Sequence, residues 1–332
     1  MKPLVTLFLS VFILLASSQD ALAKTELWIY TSLYKDTIAD IQPQLEKQFQ
    51  DIKFNFYQAG SEEVAAKYAA EELAGGTKAD VMISSDRFWY EDLAQQKKLH
   101  AYKSPATKEI PADLKNSQGF YSTLSIPVMV LAYNNEAVAD ADAPKSFKDL
   151  TASKWKGKFS SGSPLTSGTN FTTVAFLQKK YGWEFFKSLK ANETISEGSN
   201  GSVIKRLQSK ERPIGWVLME NVLRFQDTDK RIKFVVPQDG AIIQNNVIAI
   251  TTRSANKAAA EKFVDWMYSE PGQLAMTKSY MYSPLAKIAA PKGAPELKTV
   301  LATAKKWSPE LIKEFMESRE KIKDQFSQIM FQ

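Results

Sequence analysis

The sequence predicts an α/β protein of two lobes joined by two crossings. Three observations carry this: strand, polar turn and amphipathic helix repeat three times over residues 26–96; a second block of the same kind covers roughly 160–221; and between and after these blocks lie two long apolar segments that do not fit the repeat.

The first unit opens with Glu26-Leu27-Trp28-Ile29-Tyr30, a short apolar strand, then Thr31-Ser32 and a helical pattern from Lys35 to Phe49. The second runs from a strand at Ile52–Tyr57 through Ala59-Gly60-Ser61 into strong helix formers from Glu62 to Ala74, with Ser61 as the expected N-cap. The third has a strand at Ala79–Ile83, the turn Ser84-Ser85-Asp86 and a helix from Phe88 to Gln96. Such successive units predict a parallel sheet.

Phe120 to Asn134 is mostly apolar with Pro127 inside it, which argues against one regular central strand and for a crossing between lobes. Beyond it come Ser160–Thr169, helices over Phe171–Tyr181 and Trp183–Ala191, the turn Ser196–Ser202, a helix through Gln208, and the strand Ile214–Leu218 followed by Glu220-Asn221. The alternation from Ile242 to Ile250 reads as the return to the first lobe. A helix over Ala255–Met267 follows, with mainly helical chain after Pro284–Pro295. The expected organisation is lobe 1 over 24–132 plus 242–285, lobe 2 over 133–241, and a C-terminal helical segment, 286–332, packing on both.

Residues 1–23 read as a secretory leader: Lys2, an apolar run from Leu7 to Ala16, and Ala21-Leu22-Ala23, with cleavage expected after Ala23. The run is interrupted by Ser10 and too short to span a bilayer comfortably. With no cysteine anywhere, an exported chain must rely on an ordinary hydrophobic core. Residues 24–332 suffice for two domains of ~150 residues each. The leader carries one Lys and one Asp, so the remainder keeps the formal charge of +6. Its lysines are scattered among acidic neighbours, as Lys67 is with Glu71 and Glu72, which suits a solvated surface with a mild preference for anions rather than nucleic acid.

In open α/β sheets ligands lie beyond the carboxyl ends of the strands, against helix N-termini. The residues there are Thr31, Ser32, Ser61 and Ser85 in the first lobe, and Thr166, Ser167, Gly168, Thr169 and Ser199 in the second. Any one of these hydroxyls is most simply a cap or turn residue. Together they describe a cleft that surrounds an oxyanion with neutral donors. Tyr34 and Tyr133 are candidate ring or phenol contacts, Glu62, Glu220 and Asn221 candidate acceptors, and Arg206 and Arg224 candidate cations, although solvated helix faces account for both arginines. Trp216 reads as buried strand.

Catalytic patterns are sparse. One histidine, His100, in an exposed-looking stretch makes a Ser-His-Asp triad a poor fit. A thiolate or multi-histidine metal site is excluded, and the phosphate-loop, dinucleotide and nucleophile-elbow motifs are absent. Asn170-Phe171-Thr172 and Asn192-Glu193-Thr194 match the glycosylation sequon, a pattern of low specificity.

Five segments carry a resemblance over essentially the whole chain after Ala23. They are Leu27-Trp28-Ile29-Tyr30-Thr31-Ser32, Ala59-Gly60-Ser61-Glu62-Glu63, Ala79-Asp80-Val81-Met82-Ile83-Ser84-Ser85, Pro127-Val128-Met129-Val130-Leu131-Ala132-Tyr133-Asn134 and Ser283-Pro284-Leu285. In them the chain resembles the periplasmic binding components of ABC importers, in the group of ferric-iron, phosphonate and sugar-phosphate binders. The resemblance implies the two-lobed type II fold, no enzymatic activity, no cofactor or bound metal, a monomer in the periplasm, a small anionic ligand, and an inner-membrane permease as partner. Members that hold iron directly carry adjacent tyrosines where this chain reads Met219-Glu220-Asn221-Val222, and a His or Glu where it has Tyr34. By analogy with the phosphonate and sugar-phosphate branch, Thr166 to Thr169 and Ser199 would hold phosphate, and Thr31, Ser32, Ser61, Glu62 and Ser85 the organic end. Ferric iron, alone or with an anion, is the alternative within this class; a polyamine binder or an exported hydrolase fits less well.

Overall fold

The computed structural model describes residues 24–332, so the leader expected over 1–23 lies outside the described residues. The elements follow one another as β1 (Thr25–Thr31), α1 (Lys35–Gln48), β2 (Ile52–Gln58), α2 (Ser61–Leu73), β3 (Val81–Ser84), α3 (Arg87–Gln95), β4 (Leu99–His100), β5 (Ser122–Ser125) and β6 (Val128–Asn134). Then come β7 (Phe159–Ser161), α4 (Gly168–Tyr181), α5 (Trp183–Ala191), β8 (Ile195–Ser196), α6 (Asn200–Ser209), β9 (Ile214–Leu218), α7 (Met219–Gln226), β10 (Ile232–Val235) and β11 (Ile242–Ile243). The chain closes with β12 (Asn246–Thr251), α8 (Lys257–Met267), α9 (Glu270–Lys278), α10 (Leu297–Thr303), α11 (Pro309–Glu317) and α12 (Arg319–Phe331).

Two six-stranded sheets form two lobes. The first has the order β2-β1-β3-β12-β4, with β5 also on β12; the second has β10-β6-β9-β7-β8, with β11 also on β6. The expected parallel core is present in β2-β1-β3. β12 enters this sheet antiparallel to β3. Its run Asn-Val-Ile-Ala-Ile-Thr is buried at every position, which suits β-branched residues covered on both faces.

The crossings fall closer to the sheet ends than the sequence suggests. β6 belongs to the second sheet from its first residue, pairing Met129 with Leu218, so the chain changes lobe at Ile126-Pro127 and not after Ala132. β11 is also a second-sheet strand, pairing Ile242 with Met129, so the return runs through Gln244-Asn245. Pro127, which has no N–H to give a ladder, stands at the change of sheet. The first crossing is apolar on both sides of Pro127, so hydropathy does not mark it, and the buried polar run Gln244-Asn245-Asn246 marks the second.

The C-terminal helices bridge the lobes. α12 packs on α5, with Phe186 and Phe326 ring centroids 5.6 Å apart. α11 packs on α3 of the first lobe, with Phe88 5.8 Å from Phe315, and Phe315 also lies 5.3 Å from Phe176 on α4 of the second. Phe88 and Phe171 meet directly at 5.6 Å. Edge-on aromatic pairs of this kind contribute ~0.5–1.5 kcal/mol each beyond their burial. Among the described residues no helix is long and apolar enough to cross a membrane.

Candidate functional site

Where the two lobes face each other they leave a cleft of about 300 Å³. Its walls are Ser32, Tyr34, Gly60, Ser61 and Ser85 from lobe 1, and Thr166, Ser167, Thr169, Ser199, Asn200, Gly201, Glu220 and Asn221 from lobe 2. Pro127 and Asn246, at the two crossings, form the floor with Met281. Hollows of about 380 Å³ by Phe176 and Lys305, and about 660 Å³ by Arg87 and Trp307, flank the C-terminal helices and gather no such ring of helix starts.

Five helices begin at this cleft. Tyr34 precedes α1, Gly60 precedes α2, Ser167 caps α4, Ser199 precedes α6, and Glu220 and Asn221 lie in the first turn of α7. Each helix start carries unsatisfied N–H groups and roughly +0.5 of an elementary charge. No Lys or Arg is among the described residues lining the cleft, so its positive potential is backbone in origin.

The lobe 2 wall is a connected set of hydrogen bonds. Ser167 Oγ accepts from the Asn170 amide nitrogen at 3.4 Å and from Asn170 Nδ2 at 3.1 Å, and lies 3.1 Å from Thr169 Oγ1. Asn200 Nδ2 donates to Thr169 Oγ1 at 3.1 Å, while Asn170 Nδ2 also reaches Asn200 Oδ1 at 3.3 Å. Asn170 is in turn fixed by Trp216 Nε1, which donates to its Oδ1 at 3.0 Å. Ser199 makes no cap bond with its side chain, which leaves its hydroxyl available to a ligand.

Lobe 1 meets this wall across the cleft. The Gly168 N–H donates to Ser61 Oγ at 3.3 Å. A Cβ at position 168 would come to 3.2 Å from both Ser61 Oγ and Asp86 Cβ, so any larger residue would have to push these neighbours back by a few tenths of an ångström. Beside the cleft, Tyr34 donates to Glu220 Oε1 at 3.3 Å and accepts from Asn221 Nδ2 at 3.2 Å. Ion pairs clasp the lobes at both sides. Arg224 pairs with Asp36 and lies over the Tyr34 ring, 4.3 Å from its centre. Arg319 of α12 reaches Glu62 at 2.5 Å and Asp86 at 2.7 Å, with Lys323 3.5 Å from Glu62.

Two ionisable groups in the cleft hold their protons unusually hard. Burial raises Glu220 from 4.5 to about 8. Burial, reinforced by the Glu220 charge, pushes the Tyr34 phenol far above its ordinary value. Oε2 of Glu220 and Oδ1 of Asn221 are buried without a partner among the described residues.

Of the fourteen residues expected at the site, Ser32, Tyr34, Ser61, Ser85, Thr166, Ser167, Thr169, Ser199, Glu220 and Asn221 line the cleft. Gly168 sits behind the wall as the contact with Ser61. Three are elsewhere. Thr31 is fully buried and its Oγ1 accepts from the Leu33 amide at 3.0 Å, closing its own turn. Glu62 is taken up by Arg319 and Lys323. Tyr133 lies near the far end of β6, six residues beyond Pro127, where its hydroxyl donates to Asp140 at 3.0 Å. Arg206 pairs with Glu197 at 3.6 Å and Arg224 with Asp36, so neither candidate cation lines the cleft. Ser61 is the first residue of α2 rather than its cap; Glu63 instead accepts from the Gly60 amide at 3.1 Å.

Leu33, Gly60, Pro127, Asn200, Gly201, Leu218, Asn246 and Met281 also line the cleft and were not among the fourteen. Asn200 and Gly201 were legible as members of the Ser199 turn, and Asn246 as a polar residue starting an apolar strand; Met281 had no signal. His100 contacts Glu261 at 3.0 Å and does not line the cleft. Asn170 and Asn192 are buried, so neither sequon is open to glycosylation.

Comparison with known proteins places this geometry. The family profile of bacterial extracellular solute-binding proteins matches residues 76–305. The chain belongs to that family. A probable ABC transporter periplasmic-binding protein of Sinorhizobium fredii is 26% identical over 308 residues, covering 90% of this chain and 84% of the relative. Among solved structures, the periplasmic binding protein AfuA of Actinobacillus pleuropneumoniae, with fructose-6-phosphate bound, superposes with a TM-score of 0.79 at 21% identity, covering 92% of this chain and 99% of that one. Iron-bound HitA of Pseudomonas aeruginosa gives 0.78 at 19%, covering 91% and 99%. These neighbours share the type II periplasmic binding protein fold with the solute-binding protein described here.

Proposed function

We propose that this protein is the periplasmic receptor of an ABC importer, that it captures a small organic phosphate or phosphonate between its lobes, and that it delivers the closed complex to an inner-membrane permease. The observation that carries the ligand class is the convergence of five helix starts on a cleft with no lysine or arginine among its described lining residues. N–H groups and hydroxyls gathered on one cleft favour a multi-oxygen anion without a titrating group. Ten of the expected ligand contacts, Ser32, Tyr34, Ser61, Ser85, Thr166, Ser167, Thr169, Ser199, Glu220 and Asn221, are its proposed binding residues. The sugar phosphate held by AfuA supports this choice.

Direct ferric capture, as in HitA, fits the cleft less well. A ferric ion wants several hard anionic oxygens, whereas the described residues lining the cleft supply one phenol, Tyr34, and one carboxyl, Glu220. Ligand that touches both walls shifts the population toward the closed form, and only to the extent of its preference for that form. The test is calorimetry of the purified protein with ethyl phosphate, glycerol phosphate, ferric citrate and spermidine. One-to-one heat with the phosphate esters, and no release of inorganic phosphate, is the expected result. Heat with ferric citrate alone would overturn the ligand class, and ester hydrolysis would overturn the receptor.

A further inference from the structure

A hollow of about 660 Å³ lies apart from the cleft and shares no lining residue with it. One side is lobe 1, from α3 and residues 112–121, and the other is residues 307–313 of the C-terminal segment. Arg87, the first residue of α3, stands in its wall and is only 5% exposed. Its guanidinium carbon lies 5.4 Å from the Trp307 ring centre and 5.9 Å from that of Tyr121. Nη1 donates to the Asp113 carbonyl at 2.6 Å, whereas Nε is buried without a partner. Trp307 Nε1, in the same wall, is also buried without an acceptor.

Arg319 on α12 shows how this chain treats a comparable cation, for Glu62 and Asp86 both pair with it. No carboxylate among the described residues pairs with Arg87. The flanking rings offset part of its charge, but a guanidinium withdrawn from water and left without a counterion is costly. Arginine does not shed its proton to relieve that cost. A polar cavity beside an unpaired buried cation and an unmet indole donor therefore points to an anion from outside the chain.

The chemistry of that anion follows from the rest of the lining. Arg87, Lys115 and Lys313 oppose Glu91 and Asp113, a surplus of one positive charge. Lys115 is spent on the Thr107 carbonyl at 2.6 Å, Lys313 lies 3.8 Å from Glu317, and Glu91 accepts from the Tyr121 hydroxyl at 2.6 Å. A monoanion closes this balance, whereas a phosphate dianion would exceed it beside two carboxylates. The flat guanidinium matches a carboxylate. The hollow is far roomier than one inorganic ion needs, and Pro309, Ile312 and the Trp307 ring give it an apolar side.

We propose that this hollow is a second ligand site, for a small organic monocarboxylate whose carboxylate meets Arg87 and whose apolar body lies along Trp307, Pro309 and Ile312. It stands whatever the cleft holds. The occupant joins α3 to the C-terminal segment, and Trp307 in turn packs on Phe176 of lobe 2, with 5.0 Å between ring centres. Binding therefore stabilises the folded chain.

Calorimetry with phenylacetate, neutral phenylacetamide and acetate tests this. Phenylacetate should bind one to one and raise the melting temperature. Each control should bind about tenfold more weakly or worse, since one lacks the charge and the other the ring. Arg87→Gln should weaken phenylacetate by a similar factor. Ala112→Trp is the variant that spares the core: Ala112 is exposed at the rim, and an indole there fills the hollow from outside. It should abolish the phenylacetate heat while leaving the unliganded melting temperature unchanged. No heat with phenylacetate, phenylacetamide binding equally well, or phenylacetate heat persisting in Ala112→Trp would each overturn the site.

Discussion

On the lobe 2 wall of the cleft, Ser167, Thr169, Asn170 and Asn200 hold one another through hydrogen bonds of 3.1–3.4 Å, anchored from behind by Trp216. On the lobe 1 wall, Ser32, Ser61 and Ser85 stand on three separate strand-to-helix turns, and Ser61 is engaged across the cleft by the Gly168 amide. The same small hydroxyl residues thus form one surface held by its own hydrogen bonds and another whose contact comes from the facing lobe. On the proposed function, the difference puts anion capture on the preorganised wall, where ordering costs least, and closure on the facing one.

The largest expected effect comes from dismantling the preorganised wall. Thr169→Ala with Ser199→Ala should weaken phosphate-ester affinity about 100-fold or more, since hydrogen bonds to charged groups are worth about 1.5–3 kcal/mol each; calorimetry of the double variant reads it, and unchanged affinity would sink the assignment. Next is the clasp that joins the moving wall to α12. Arg319→Ala leaves the Asp86 carboxylate, whose side chain is 2% exposed, without its cation. That should cost about 2 kcal/mol of stability by urea unfolding, and weaken ligand binding by favouring the open form.

A smaller effect follows from Glu220. Folded protein keeps this proton to about pH 8, whereas a solvated glutamate gives it up near 4.5. Across that window the folded state binds more protons than the unfolded, so unliganded stability should fall as pH rises from 5 to 8. Glu220→Gln should flatten that slope; an unaltered slope in the variant would mean another group carries it. Smallest is Ser61→Ala on the moving wall, a loss of about fivefold in affinity, because one neutral hydrogen bond contributes about 1 kcal/mol.

Much of this was legible before the structure. Periodicity placed the strand–turn–helix units because each has one buried face, and strand ends in an α/β sheet locate the cleft mouth whatever the ligand. What stayed hidden depended on partners distant in sequence. Glu62 reads as an open acceptor until Arg319, 257 residues away, is seen to occupy it. Tyr133 reads as a cleft aromatic only while its strand is assigned to the crossing; pairing in the second sheet carries it to the opposite end. The helix α7 was legible only as a face carrying Arg224, without bounds, because its eight residues follow β9 without a side-chain cap. Burial of Glu220, the source of its chemistry, has no trace in a one-dimensional pattern.

The aromatic cluster behind the cleft also gives the molecule an optical readout. Of the seven tryptophans, Trp307 is the one whose aromatic neighbours come from both lobes, Phe88 at 5.7 Å and Phe176 at 5.0 Å. The Arg87 guanidinium lies 5.4 Å from its ring centre. On the proposed opening, parting Phe88 from Phe176 should expose this buried indole to water, and a red shift of intrinsic emission in the ligand-free protein relative to the liganded one is the expected readout. The same indole then dates closure in a stopped-flow trace, separating the arrival of ligand from the motion that follows it.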